Sequence, residues 1–186
     1  LRWDVQGWIG GDYHKLWVKT EGRQRFSGDH GGAAEVQALY SRLITPFWNF
    51  QIGIRYDTFY GAGTDLSRTS AVIGFQGLAP YRFEFEPALF ISEDGDVSAR
   101  LTTLYNLLLT QRLIAQPRFE VNLAAQEAAA FGVGKGFNDI DLGLRLRYEI
   151  RREFAPYVGV SWVRKLGDTA DIAQRQGEEG DNLSFV

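Results

Sequence analysis

Long stretches of this chain alternate apolar and polar residues with a period of two, and few architectures can use such a pattern. In Phe50 to Asp57 the apolar set is Phe50, Ile52, Ile54 and Tyr56, and the intervening set is Gln51, Gly53, Arg55 and Asp57. Successive side chains of a strand point to opposite faces, so each such stretch reads as a strand with one apolar and one polar face. Tyr81 to Ile91 places Tyr81, Phe83, Phe85, Leu89 and Ile91 on one side, with Arg82, Glu84, Glu86, Ala88 and Phe90 on the other. Leu113 to Leu123 splits into Leu113, Ala115, Pro117, Phe119, Val121 and Leu123 against Gln116, Arg118, Glu120 and Asn122. The clearest case is Ile140 to Ile150, where Asp141, Gly143, Arg145, Arg147 and Glu149 alternate with Ile140, Leu142, Leu144, Leu146, Tyr148 and Ile150.

Period two names two faces without saying which one meets water. Three features favour lipid on the apolar side. The segments run to about 10–14 residues, against about 5–6 for the mean strand of soluble proteins. Aromatics such as Tyr81, Tyr148, Phe154 and Trp162 fall where interfacial girdles would lie. Short turns at Thr45 to Trp48, Leu78 to Tyr81, Leu109 to Arg112 and Arg151 to Phe154 alternate with longer connections at Arg23 to Gly32, Tyr60 to Ser67, Ala125 to Gly136 and Gly167 to Asp181. Glu93 to Asp96 is the one tight exception. Short connections on one side and long ones on the other are the pattern of outer-membrane barrels. The expected fold is therefore all-β: an antiparallel, transmembrane, up-and-down β-barrel formed as a single domain over residues 1–186.

The expected strands are 13–23, 34–44, 48–58, 69–79, 81–92, 97–109, 111–124, 137–150, 153–165 and 182 onward, ten in all, with the last too short to span and so incomplete. The phase slips between Trp3, Val5 and Ile9 on odd positions and Leu16, Val18 and Thr20 on even ones. A bulge at Gly10-Gly11 within one long first strand accounts for the slip and keeps the count even. A tight hairpin at Gly10-Gly11-Asp12 is the alternative, with a different count. The apolar runs fall far below the roughly 18 residues of a spanning helix, and no basic segment with an apolar stretch opens the chain, which reads as a mature or trimmed product.

Composition removes several functions. The chain has no cysteine and no methionine, which excludes disulfides and any metal site built on thiolate or thioether sulfur. Twenty basic residues against 23 acidic ones give a net charge of -3, with no positive excess to follow a nucleic acid backbone. Gly132-Val133-Gly134-Lys135-Gly136 lacks the Ser or Thr of a phosphate loop and opens a strand. Glu93 to Asp96 reads as a turn that does not fill a calcium-loop pattern, and the acidic Gly177 to Asp181 as a solvated loop and not a metal site.

Facing inward in such a barrel are Glu21, Glu84, Glu86, Glu120, Asp139, Asp141 and Glu149, together with Arg55, Arg82, Arg100, Arg118, Arg145 and Arg147. Two readings stay open for this set. Buried charge must be paired, which gives a salt-bridged plug. A carboxylate-lined cation path with arginines as barrier is the other.

Several longer stretches carry a family likeness: Trp3 to Tyr13, Lys15 to Gly22, Glu35 to Arg42, Gln76 to Tyr81, Leu107 to Leu113 and Leu142 to Tyr157. In this order they resemble the copper resistance protein B family of outer-membrane proteins, across nearly the whole chain. The resemblance implies a bacterial outer-membrane location, copper ions as the species handled, and a role in copper homeostasis and resistance. It implies as partners outer-membrane lipid, copper ions and periplasmic copper-binding proteins. Family members commonly carry a methionine- and histidine-rich segment ahead of the barrel. Here the only imidazoles are His14, at the start of a strand, and His30, in a long loop, and both are weak candidates for a metal ligand.

The resulting expectation is a non-enzymatic barrel that conducts copper or anchors a periplasmic copper-binding segment. An outer-membrane lipid-modifying enzyme would need a nucleophile and base near the bilayer rim, and the two histidines have no serine and carboxylate nearby in sequence. A small-ligand barrel would need the faces inverted, and ten strands of Leu, Ile, Phe and Tyr overfill such an interior.

Overall fold

The computed structural model describes residues 2–24, 32–60, 66–79, 83–128, 131–150, 155–175 and 180–186. Arg82 and His30 lie outside the described residues, as do Tyr81 and Phe154. The alternating segments become strands β1 (Arg2–Gly10), β2 (His14–Gln24), β3 (Gly32–Thr45), β4 (Trp48–Tyr60), β5 (Leu66–Ala79) and β6 (Phe83–Ser92). After them come β7 (Val97–Tyr105), β8 (Leu107–Leu108), β9 (Leu113–Ala124), β10 (Gly136–Tyr148), β11 (Tyr157–Lys165), helix α1 (Gly167–Arg175) and β12 (Asp181–Phe185).

Each strand pairs antiparallel with its chain neighbour in one sheet, ordered β1 to β7 and then β9 to β12, with the two-residue β8 beside β9. The sheet curls on itself: Lys19 on β2 reaches Glu86 on β6 at 2.8 Å, and Arg100 on β7 reaches Glu35 on β3 at 3.0 Å. No helix among the described residues is long and apolar enough to cross a membrane, a statement that does not bear on strands.

Three expectations change. Arg2–Gly10 is a separate strand and not the bulged start of a longer one: Trp8 faces Trp17 and Gly10 faces Lys15 across a tight hairpin. Gly10 adopts φ 136°, and a Cβ there would collide with the His14 carbonyl oxygen. A turn satisfies the same phase slip as a bulge and adds a full row of ladder hydrogen bonds. Among the described residues the expected count of ten is replaced by eleven strands in the path plus β8. Gly10→Val should cost about 1–3 kcal/mol from the strained backbone, read as a lower denaturation midpoint with wild-type m-value.

Second, the strand expected over 97–109 breaks at Asn106, whose side-chain amide is used in the interior instead. Third, the connection expected as a loop over 167–181 contains α1, with Asp168 in its first turn, Arg175 in its last, and Thr169, Ile172 and Ala173 buried. Opposite charges at the two ends suit the helix dipole. Gly134 N–H donates to Thr169 Oγ1 at 2.8 Å, tying the helix to the segment before β10.

The two faces of the sheet invert the soluble pattern. On the convex face Val5, Ile9, Val18, Ile54, Leu144 and Val158 are exposed, up to 71% for Ile9. On the concave face Gln37, Ser41, Gln51, Asp57, Gln116, Arg118, Glu120, Asp141 and Arg145 are buried. Among the described residues the concave face carries an apolar patch, where Leu39, Val72 and Phe90 pack together with Trp17 and Ala88 against them.

Candidate functional site: a charged waist between two cavities

The pleat and the register bring the inward charges to one level. Glu35 on β3 faces Asp57 on β4, Gly143 on β10 faces Arg118 on β9, and Asp141 faces Glu120. Like charges directly opposite would repel, so arginines from the same strands (Arg55, Arg118) and from others (Arg100, Arg2) neutralise them. Arg55 bonds both Glu35 at 2.9 Å and Asp57 at 2.8 Å. Arg100 makes paired contacts to the Glu35 carboxylate at 3.0 and 3.1 Å, and its Nε lies 3.7 Å from Glu120. Arg118 bonds Glu120 and, at 3.1 Å, Asp141. Arg2, from the first strand, closes the ring by bonding both Glu21 and Asp141.

Neutral donors supply further hydrogen bonds to this belt, although the buried Asp57 Oδ2 has no partner among the described residues. Thr102 Oγ1 donates to Glu120 at 3.0 Å, the Asn122 amide donates to Glu120 and Asp139, and the Ser161 hydroxyl donates to Asp141. The guanidinium carbons of Arg55 and Arg100 lie 4.6 and 5.4 Å from the centre of the Phe90 ring, whose quadrupole attracts both of the cations that clamp Glu35.

This belt is a waist. A cavity of about 1080 Å³ lies on the side of the long connections, where Asp57, Asp96, Asp139, Phe131 and Thr169 line it. A second, of about 1100 Å³, lies toward the short turns and is lined by Lys19, Glu84, Glu86, Arg145 and Tyr157. Arg2, Glu21, Glu35, Phe90, Arg100 and Glu120 line both.

The sequence expected an inward set, and the structure divides it. Glu21, Glu120, Asp141, Arg55, Arg100 and Arg118 meet at the waist. Asp139 sits above it, bonded by Asn122 at 2.9 Å. Below it Glu86 takes Lys19 and the Gln76 amide, both at 2.8 Å, and Glu84 takes the Asn106 amide at 2.6 Å. Arg145 pairs with Asp4 at 2.8 Å, and Arg147 with Glu149 at 2.6 Å at the short-turn rim. The sequence reading missed Arg2, Asp4, Lys19, Glu35 and Asp57 as members. Asp57 carried the signal, since it continues the alternating polar set of Gln51, Gly53 and Arg55.

His14 is on the opposite, convex face, where its Nδ1 lies 2.6 Å from the Tyr40 hydroxyl and its ring stacks on Tyr40. It therefore does not join the interior set. Among the described residues no cluster of three or more His, Asp or Glu side chains could hold a metal ion. What the interior offers is oxygen ligands already engaged by cations, an arrangement that repels a free anion less and holds a cation more loosely than a dedicated site would.

An antiparallel sheet curled about a charged interior, with its apolar side chains outward, is the arrangement that outer-membrane β-barrels use. The comparisons with known proteins point the same way. Residues 1–186 match the family described as copper resistance protein B precursor. The chain is 47% identical over 184 residues to "Copper resistance protein B" of Escherichia coli, covering 99% of this chain and 60% of that protein. It is 42% identical over 179 residues to "Copper resistance protein B homolog" of Pseudomonas syringae pv. tomato (strain ATCC BAA-871 / DC3000), covering 96% and 59%. The chain belongs to the copper resistance protein B family, and it spans about three-fifths of the length of these relatives.

Proposed function

We propose that this chain is the membrane-spanning barrel of a bacterial outer-membrane protein of copper resistance, and that its interior is a hydrated cation path closed at the waist. The observation that carries this reading is the inversion of the two faces. An outer face of Val, Ile and Leu needs an apolar solvent, and the interior keeps carboxylates on both sides of the waist, Asp57 and Asp139 on one and Glu84 and Glu86 on the other. Rings of carboxylates select cations, and a path conducts only if it holds them weakly. The family's printed name supplies copper as the cation. Oxygen donors suit hydrated Cu(II) better than Cu(I).

One observation favours a second reading, in which the barrel only anchors a periplasmic copper-binding segment: each guanidinium of the waist is ion-paired. In either case the role is non-enzymatic. Metal flux into liposomes carrying the purified protein separates the two readings. Copper flux exceeding zinc flux, and reduced several-fold by Glu84→Gln with Glu86→Gln, is the result expected of a path. No flux above that of empty liposomes would leave the anchor.

A further inference from the structure

We infer that β1 and β12 are not neighbours in the finished barrel and that one further strand, supplied by residues of the same protein ahead of Leu1, lies between them. The inference rests on the barrel reading above and concerns how that barrel closes.

Strand direction is the first ground. Arg2 faces Arg23, at the end of the sheet where connections are long, and β1 runs from there to the tight turn after Gly10. β12 begins at Asp181 opposite Arg164, directly after the long connection that holds α1, and runs the same way to Phe185 opposite Val160. The two edges of the sheet are therefore parallel, whereas every pairing in it is antiparallel. An all-antiparallel barrel cannot join two parallel edges, and a single strand of opposite direction between them restores the alternation.

The cross-interior ion pairs give an independent ground. Lys19 to Glu86 joins strands four places apart in the sheet, and so does Arg100 to Glu35. Arg145 to Asp4 and Arg2 to Asp141 join β10 to β1 through the seam. Counted through β11 and β12, that separation is three places, and one inserted strand makes it four, equal to the others.

The relatives leave room for such a strand, since this chain spans 60% and 59% of them, and about 9–11 residues suffice to cross. Placed ahead of β1, the strand rises from the short-turn side and enters β1 through a connection on the long side. Both ends of the barrel then lie on the short-turn, periplasmic side.

The test uses the full-length protein in a cysteine-free background, with Val5→Cys combined in turn with Leu183→Cys and Phe185→Cys. All three positions are exposed on the convex face. A disulfide requires Cα atoms within about 4.4–6.8 Å, whereas strands separated by one other lie about 9–10 Å apart. The expected result is no disulfide on oxidation, but linkage by a bis-maleimide of about 10 Å reach. Disulfide formation would put β1 against β12 and overturn the inference, as would failure of both reagents. Single cysteines through the 15 or so residues ahead of Leu1 should form disulfides with Val5→Cys and with Leu183→Cys. Disulfides found instead with residues after Val186 would overturn the assignment to the upstream segment. Heat-dependent gel mobility of each variant reports the barrel itself, so loss of that signature in the wild type marks failure of the barrel reading and not of the closure alone.

Discussion

Asp141→Ala is expected to destabilise the protein by about 3–5 kcal/mol, because it takes from each of two buried guanidinium groups one of its two carboxylate partners. Asp141 is 2% exposed, and it accepts from Arg2, Arg118 and Ser161 at once. The neighbouring carboxylates Glu21 and Glu120 cannot move to take over, since each is already engaged by the same arginines. Asp141→Asn keeps the shape and one acceptor and should lose clearly less. Glu149→Ala is the contrast: the Arg147 to Glu149 pair sits at the rim, with the side chains 31% and 32% exposed, and pairs of that kind contribute about 0–1 kcal/mol. Urea unfolding in detergent micelles, followed by gel mobility, measures all three. A loss below about 1 kcal/mol for Asp141→Ala would mean that water, and not the ring of charges, solvates the waist.

Ile54→Arg should have the second largest effect, and its size depends on what solvates the convex face. Ile54 is at the middle of β4 and 60% exposed. In a bilayer, arginine at mid-depth on the lipid face of a barrel costs about 2–4 kcal/mol, falling to about 0–1 near the interfaces. On a water-facing surface the same change would stay within about 0.5 kcal/mol. Ile44→Arg, near the short-turn end of β3 and 52% exposed, supplies the depth comparison. Folding titrations in lipid vesicles should give a clear penalty at position 54 and a small one at position 44. Equal, small penalties would remove the membrane reading.

The strands and their faces were legible because period two is a local property: Ile52, Ile54, Leu142 and Leu144 did turn outward, and Arg55, Glu120 and Asp141 inward. Where the chain reverses was less legible. The slip at Gly10-Gly11 is the same for a bulge and a hairpin, and only the pairing of Trp8 with Trp17, nine residues on, decides between them. Reading β1 as part of β2 concealed Arg2 and Asp4, which turned out to hold Asp141 and Arg145. Glu35 was obscured by its own strand, whose inward set mixes Glu35 and Gln37 with Leu39. Which carboxylate meets which arginine was not legible, because partners such as Arg100 and Glu35 are 65 residues apart and meet only through the curvature of the sheet.

Because each strand lies beside its chain neighbour, the sheet can grow one hairpin at a time, with every new edge serving as template for the next. Ladder hydrogen bonds accumulate smoothly in such growth, but the contacts between Lys19 and Glu86 or Arg100 and Glu35 cannot exist until four further strands are in place. Curvature is thus rewarded late and in steps, after the chain has committed to its register. The waist then acts as a clasp on the assembly pathway. Before it engages, a half-grown sheet carries exposed carboxylates and guanidinium groups on a face still open to water, where they are well solvated. Once it engages, uncurling must pull several charges apart together, which makes the last stage of growth slow to reverse.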